Sequence, residues 1–412
     1  MNRPVRLLFT TAEPHPTFRS DVKVLFGKYL PRNGVTSDLL GVTEVPVDQT
    51  PEWGGGQRLL RYGSSKFKLM LADVLQMLSL FRLCFKGYDA LVVRDKPILG
   101  VIGLMAARLA GIHFVSWVSF PLPEAYLRLA RLKDGSVGPA RRLYTWLRGT
   151  LGYHLLYRVQ VRRADWVFAQ SDTMVVKLRE KGMNHDRVCP VPMGVDMENL
   201  PPAIDPLPPE LVGRRLGVYL GTLDRYREPE ILVDTALRVS KIYPDFRLMI
   251  IGEADEPSDK GWLKAYAVEK GATDWVYLTG RVNQAVGLGL ARHAEVGLSP
   301  FLRSELLEDA SPTKAVEYLA LNVPVVCNDQ PDQAKVINES DGGWCVPLTP
   351  ESFADAVVEC LRSPEQSKAM ATKGHGYVRD HRSYDKLGHY VAQHFSDLVG
   401  QDRPRRAILK RG

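Results

Sequence analysis

Hydrophobic positions in this chain come in short apolar runs, separated by polar loops and by stretches whose apolar residues recur at helical spacing. In the first half the runs at 5–10, 90–93, 114–118, 166–169 and 188–191 read as strands. Their alternation with helix-period segments predicts a mostly parallel sheet. The second half restarts the pattern: L-G-V-Y-L ending at Gly221, F-R-L-M-I-I before Gly252, V-Y-L-T-G before Arg281, then V-G-L-S and P-V-V-C-N. Between the halves lies the Pro-rich P-P-A-I-D-P-L-P-P after Leu200, a linker by composition. Near the end, Y-V-R-D-H-R-S-Y-D-K-L-G-H-Y-V-A-Q-H-F reads as an amphipathic helix.

One stretch organises the second half: D-A-S-P-T-K-A-V-E-Y-L-A-L-N-V-P-V-V, residues 309–326. Ser311 is suited to cap a helix and Pro312 to open it. Val316, Leu319 and Ala320 form one apolar stripe, and Asn322 with Pro324 ends the helix. Thr313 and Glu317 lie one turn apart, with Lys314 beside them. Free N–H groups at a helix start, a lysine and a carboxylate suit a phosphorylated, hydroxyl-rich ligand.

Strand ends add candidates, because ligands of open α/β sheets sit outside the carboxyl ends of the strands. After the first strand come His15, Thr17, Arg19 and Ser20; after the 90–93 run, Arg94, Asp95 and Lys96; after 114–118, Ser119 and then Glu124. In the second half the loops carry Gly221, Thr222, Arg225 and Arg227, then Gly252 and Glu253, then Gly280, Arg281 and Val282. Taken singly, each has an ordinary reading as turn chemistry or as a solvated charge.

The Asp309–Glu317 acid pair with Y-L-A-x-x-x-P-V-V, A-D-x-V-x-A-x-S from 164, and P-M-G-V-D from 192 together resemble the group 1, family 4 retaining glycosyltransferases. The resemblance covers most of the chain and is strongest over 166–194 and 216–346. It implies a GT-B fold: two Rossmann-like domains facing across a cleft, with a C-terminal helix crossing back to the first. The corresponding boundaries are 1–198, 199–382, 383–400 for the helix and 401–412 for a basic tail. It implies a hexosyltransferase-type activity moving a sugar from a UDP- or GDP-sugar to an acceptor hydroxyl with retention. Arg227, Lys314, Asp309 and Glu317 would be catalytic. Gly221, Thr222, Arg225, Gly252, Glu253, Arg281, Val282, Ser311 and Thr313 would bind the donor. His15, Arg19, Arg94, Lys96, Ser119 and Glu124 fall on the acceptor side.

The chain departs from the family pattern at several points. Asp309 replaces the usual Glu, Thr222 a frequent arginine and Arg227 a frequent lysine. Ser119 and Glu124 occupy the region of a first-domain histidine, and N-D-Q-P-D-Q-A-K-V replaces a Gly-Gly-Glu segment. No D-x-D triplet occurs, so neither metal nor other cofactor is expected, and cationic side chains would neutralise the leaving diphosphate.

Composition is that of a globular protein, with 412 residues, 45% hydrophobic and 25% charged. Net charge is +7, a mild bias towards an anionic partner. Five scattered cysteines without C-x-x-C argue against a disulfide framework or structural zinc. The N-terminus shows no signal-peptide pattern, and the apolar run 98–110, broken by Arg108, is too short to span a bilayer. A cytoplasmic protein is therefore expected, peripheral on the membrane face. The membrane argument rests on 125–163, where nine basic residues from Arg128 to Arg163, Lys133 among them, meet only Asp134 and interleave with Tyr144, Trp146 and several leucines. Such a segment fits an anionic membrane surface and a lipid-linked saccharide acceptor in surface polysaccharide assembly; a packed helix with a solvated basic face is the alternative. No nucleic-acid recognition module is present. Two other functions compete with the enzyme: a non-catalytic nucleotide-sugar-binding relative and a membrane-docking scaffold.

Overall fold

The computed structural model describes residues 3–17, 19–63, 65–131 and 138–400. The basic tail 401–412, Lys133 and Asp134 lie outside the described residues.

The chain divides into two units, Met1–Pro192 with Leu387–Gly412, and Met193–Lys386. The sequence reading set this boundary after Glu198. The first unit holds strands β1 (Val5–Thr10), β2 (Val35–Thr43), β3 (Gln57–Arg61), β4 (Ala90–Arg94), β5 (His113–Val118), β6 (Trp166–Ala169) and β7 (Val188–Pro190). They form one sheet in the order β3-β2-β1-β4-β5-β6-β7, every pair parallel. β4 and β5 are buried throughout because helices cover both faces, which is why they read as unbroken apolar runs. β2 and β3 were not legible as strands. β3 is a short edge strand, Q-R-L-L-R, with Gln57, Arg58 and Arg61 in solvent.

The second unit holds β8 (Arg215–Leu220), β9 (Phe246–Ile251), β10 (Val276–Gly280), β11 (Val296–Ser299), β12 (Val325–Asn328) and β13 (Gly343–Val346). These too are all parallel, in the order β10-β9-β8-β11-β12-β13. In both sheets the order reverses beside the first strand of the unit, the Rossmann-like arrangement that opens a crevice at the carboxyl ends.

The final helix, Tyr384–Gly400, returns the chain to the first unit. His394 lies over Trp166, Phe395 against Phe168, and Gly388 against Tyr29, where a Cβ would come within 2.8 Å. All five cysteines are free thiols. Among the described residues no helix is long and apolar enough to cross a membrane.

Candidate functional site

At the carboxyl edge of the second sheet, β8 and β9 end in glycines whose backbones nearly touch. Gly252 has φ +145°, a conformation that side chains rarely adopt, and a Cβ there would lie 1.9 Å from the Gly221 carbonyl oxygen. A Cβ on Gly221 would lie 2.6 Å from Cε of Lys314. The two glycines therefore admit the lysine along the strand ends. The lysine ammonium sits 5.2 Å from the centre of the Tyr219 ring, whose hydroxyl donates to the Thr222 carbonyl (3.1 Å) and closes the loop after β8.

Lys314 comes from the helix Thr313–Ala320. Tyr318 sets that helix on the sheet: its ring fills the space left by Gly297, and its buried hydroxyl accepts the Leu220 N–H at 2.7 Å. Asn322 is left-handed at φ +60°, as its place at the helix end predicts. The helix start differs from the sequence reading. Pro312, with extended backbone, is the capping position, and Ser311 does not cap. Ser311 Oγ instead accepts the Met193 N–H at 2.9 Å and donates to Asp332 at 2.6 Å. It is a structural tie of the preceding loop, because its one hydroxyl proton is used on a buried carboxylate.

Glu317 stands one turn into the helix, half-buried, accepting from the Gln284 amide at 3.0 Å and bonded to Thr313. Desolvation pushes its carboxyl above the usual range despite the pull of Lys314. Asp309 is buried in the loop before the helix.

The segment where the family pattern has Gly-Gly-Glu supplies a buried amide network that sequence reasoning did not single out. Asn328 exchanges two hydrogen bonds with the backbone of Phe301, at 2.8 and 3.0 Å. Gln330 donates to the Ala310 carbonyl at 2.8 Å and caps the helix Pro331–Ser340 with its oxygen. Asp332 pairs with buried Arg382 at 2.6 Å. These side chains hold the loop carrying Asp309 and Ser311. Three amides (Asn328, Gln330, Gln333) and two acids (Asp329, Asp332) within six residues were the available signal, and without their partners they look like a polar loop.

The remaining donor-side residues are spread out. Arg225 is exposed and stacks 4.9 Å over Trp262. Arg227 is exposed against its neighbour Tyr226 and lines a cavity of about 160 Å³ with Glu230, Asp234 and Pro300. Arg281 is exposed and ion-paired with Asp255, while Glu253 faces Lys260 at 3.6 Å. Val282 packs beside Gly287, half-buried. Glycines, Lys314, Thr313 and Glu317 thus form one cluster; among the described residues neither arginine of the 225–227 turn hydrogen-bonds or ion-pairs with it. Among the described residues no three His, Cys, Asp or Glu side chains gather as a metal-ligand set.

In the first unit the geometry revises several acceptor-side candidates. Arg94 is the last residue of β4 and fully buried, not a solvated loop charge. Its guanidinium binds Glu13 at 2.6 Å and Asp21 at 2.8 Å, and Arg19 also holds Asp21, at 3.1 Å. Burial alone would raise the Asp21 carboxyl, but Arg94 and Arg19 outweigh it and hold it below the usual range. Ser119 gives both its N–H and its hydroxyl to buried Asp95. His15 is buried, bonded to the Pro51 carbonyl at 3.1 Å and edge-on to Trp53. Glu124 pairs with Lys181 at 2.5 Å. Lys96 is the one of the six that lines this unit's apolar groove, although its own side chain is mostly buried. It bonds to Gln76 at 2.6 Å and lies 3.4 Å from Asp73, on the wall of a mainly apolar groove of about 400 Å³ that also takes in Tyr126, Arg148 and Leu151.

Two family models match the chain, "Glycosyl transferases group 1" over residues 214–363 and "Glycosyl transferase 4-like domain" over 20–194. The chain belongs to the group 1 glycosyltransferases of family 4. Among curated relatives it is 25% identical over 200 residues to a phosphatidyl-myo-inositol mannosyltransferase of Mycobacterium tuberculosis, a match covering 46% of this chain and 49% of that one. It is 25% identical over 228 residues to a D-inositol 3-phosphate glycosyltransferase of Corynebacterium urealyticum, covering 51% and 52%. The match thus spans about half the length of these relatives. Among solved structures, sucrose-phosphate synthase from Thermosynechococcus elongatus superposes with a TM-score of 0.69 at 16% identity over 96% of this chain and 99% of that one. Anabaena HepE in complex with UDP and glucose superposes with a TM-score of 0.68 at 12% identity over 95% and 100%. These likenesses identify the fold as GT-B.

Proposed function

We propose that this group 1 glycosyltransferase moves a sugar from a nucleoside diphosphate sugar to an acceptor hydroxyl, with retention at the anomeric carbon. The observation that carries the reading is the Gly221–Gly252–Lys314 junction at the carboxyl edge of the second sheet. There a lysine, a strand-end turn and the N–H groups around Thr313 converge, with Glu317 one turn along. In this reading the donor diphosphate lies over the two glycines. Lys314 and the helix start stabilise the charge that builds on the leaving group, work usually worth ~3 kcal/mol per donor group. Glu317 accepts from ribose hydroxyls and Asp309 from the transferred sugar. Arg227 or Arg225 reaches the diphosphate when a donor is bound, Arg225 leaving the ring of Trp262 and Arg227 the ring and hydroxyl of Tyr226 to do so.

Cationic side chains carry this charge without a bound metal, so chelation is expected to leave the rate unchanged. UDP accompanies glucose in the HepE structure and favours trying a UDP-sugar first. The acceptor is a membrane-linked saccharide, its apolar part in the groove beside Lys96 and Arg148. That assignment sets the protein at the cytoplasmic face of a membrane, in surface polysaccharide assembly.

The test is melting temperature with UDP-, GDP- and ADP-sugars, for the wild type and Glu317→Ala. A donor at about a hundred times its dissociation constant stabilises by ~2.7 kcal/mol. A shift with one base, lost in the variant, is the expected result. No shift with any of them, with or without anionic vesicles, would sink the reading.

A further inference from the structure

The helix Lys66–Leu83 is built inside out. Ala72, Gln76, Leu80 and Leu83 are buried against the first unit, so the opposite side should be polar. It is instead an apolar stripe. Phe67, Leu71, Val74, Leu78 and Phe81 recur at i, i+4, i+7, i+11 and i+14, and Phe85 continues the line with its ring 5.8 Å from that of Phe81. Phe67 is 70% exposed and Leu78 58%, on a helix where Leu80 is fully buried. A stripe this long on the solvent side costs free energy unless something covers it.

Charge narrows what that is. The exposed ionic residues near the stripe are Lys68, Arg82 and Lys86, all basic, whereas Asp73 is half-buried and turned to Lys96. A second copy of this helix in a two-fold contact would bring these cations against their own kind. A bilayer carrying anionic lipid satisfies both the apolar stripe and its basic flank. Position agrees as well. The same helix gives Leu69, Asp73 and Met77 to the wall of the groove beside Lys96, and Leu151 reaches that groove from the helix Pro139–Tyr153, which also exposes Leu143, Trp146 and Leu147.

We infer that the outward stripe of Lys66–Leu83 is the element this protein lays into an anionic membrane, so that the groove opens at the lipid surface. The inference deepens the reading of a membrane-linked acceptor and rests on it. It also moves the main contact from the basic aromatic segment 125–163 to a helix without tryptophan or tyrosine.

The experiment is cosedimentation of the full chain with phosphatidylcholine vesicles, with and without phosphatidylglycerol. It compares the wild type, Leu71→Gln/Leu78→Gln and, as a second variant, Lys68→Glu/Arg82→Glu. Wild type should bind only the anionic vesicles, and each variant should bind about tenfold more weakly or less. Melting temperature and the donor-induced shift should stay unchanged, because all four residues are exposed and belong to the other unit. Wild type left in the supernatant overturns the proposal, as does a Leu71→Gln/Leu78→Gln variant that binds like wild type. So does a concentration-dependent dimer abolished by that variant, which would make a second copy the occupant. Vesicle binding by a protein that takes no sugar nucleotide would instead refute the proposed reaction and leave the surface standing.

Discussion

The two sheets end in similar chemistry put to opposite uses. At the carboxyl edge of the first, the cations are already spoken for: Arg94 by Glu13 and Asp21, Arg19 by Asp21, Lys96 by Asp73. At the matching edge of the second, Lys314, Arg225 and Arg227 form no ion pair among the described residues and lie on the rings of Tyr219, Trp262 and Tyr226. A guanidinium neutralised by a buried and a part-buried carboxylate has little left for a ligand, and removing it leaves the buried charge stranded. A cation resting on a ring keeps its charge available to an anionic ligand, as the proposed donor site requires. Basic residues at strand ends therefore do not mark a site by themselves; the test is whether the fold has already answered their charge.

Substitution separates the two uses. Arg94→Ala is expected to destabilise the protein by about 3–5 kcal/mol, read from the denaturant midpoint, because Asp21 is left buried and unpaired by its main partner. The sign with pH follows from the lowered Asp21 and Glu13 carboxyls. Their stabilising contribution is present above their unfolded values near ~4 and is lost as pH falls through the folded ones. The Arg94→Ala penalty should therefore shrink in acid; a penalty that persists there would mean Arg94 acts by packing. Lys314→Ala should do the reverse, with melting temperature nearly unchanged and kcat lowered ~100- to 1000-fold, about 2.7–4 kcal/mol. An unchanged kcat would remove Lys314 from the diphosphate.

The difference was only partly readable in advance. Strand cores such as Val5–Thr10 and Trp166–Ala169, and the helix of residues 313–320, follow from local pattern. The partners that decide what a charge is for do not. Arg94 meets Asp21 across 73 residues and Glu13 across 81. Ser311 looked like a cap because Pro312 and a helical stripe follow it, but a buried acid 21 residues on competes for its hydroxyl. The stripe on Lys66–Leu83 escaped for another reason. K-F-K-L-M-L-A-D-V-L-Q-M-L-S-L-F-R-L is apolar nearly all round, so its spacing does not say which side meets the sheet.

Between these extremes lies the junction itself. Gly252→Ala forces a Cβ towards the Gly221 carbonyl, and a strained residue of this kind costs ~1–3 kcal/mol. Because the clash is with Gly221, which itself packs against Lys314, donor affinity should fall together with stability. If donor-induced stabilisation is unchanged in Gly252→Ala, the close approach of the two glycines is turn chemistry alone.

The smallest expected effect bears most directly on the comparison, because Glu317 is the acid of the second edge that no arginine holds. Its carboxyl is raised, first by desolvation, with Lys314, Gln284 and Thr313 only partly offsetting that. The folded protein therefore binds this proton more tightly than the unfolded chain does. Stability from this group is complete below the unfolded value near ~4.3 and declines as pH rises towards the folded one, leaving a deficit at neutral pH. Glu317→Gln removes the charge and keeps an acceptor for Thr313, so the donor-free variant should be more stable than wild type at pH 7, by about 1 kcal/mol or less, and no more stable in acid. It should also take up the donor more weakly, having lost the charged acceptor proposed for ribose hydroxyls. Greater stability with weaker donor binding would mean that the second edge, unlike the first, keeps its charge unanswered for a ligand. Lower stability at neutral pH would mean that Lys314 already satisfies Glu317, and the two edges would then differ in degree only.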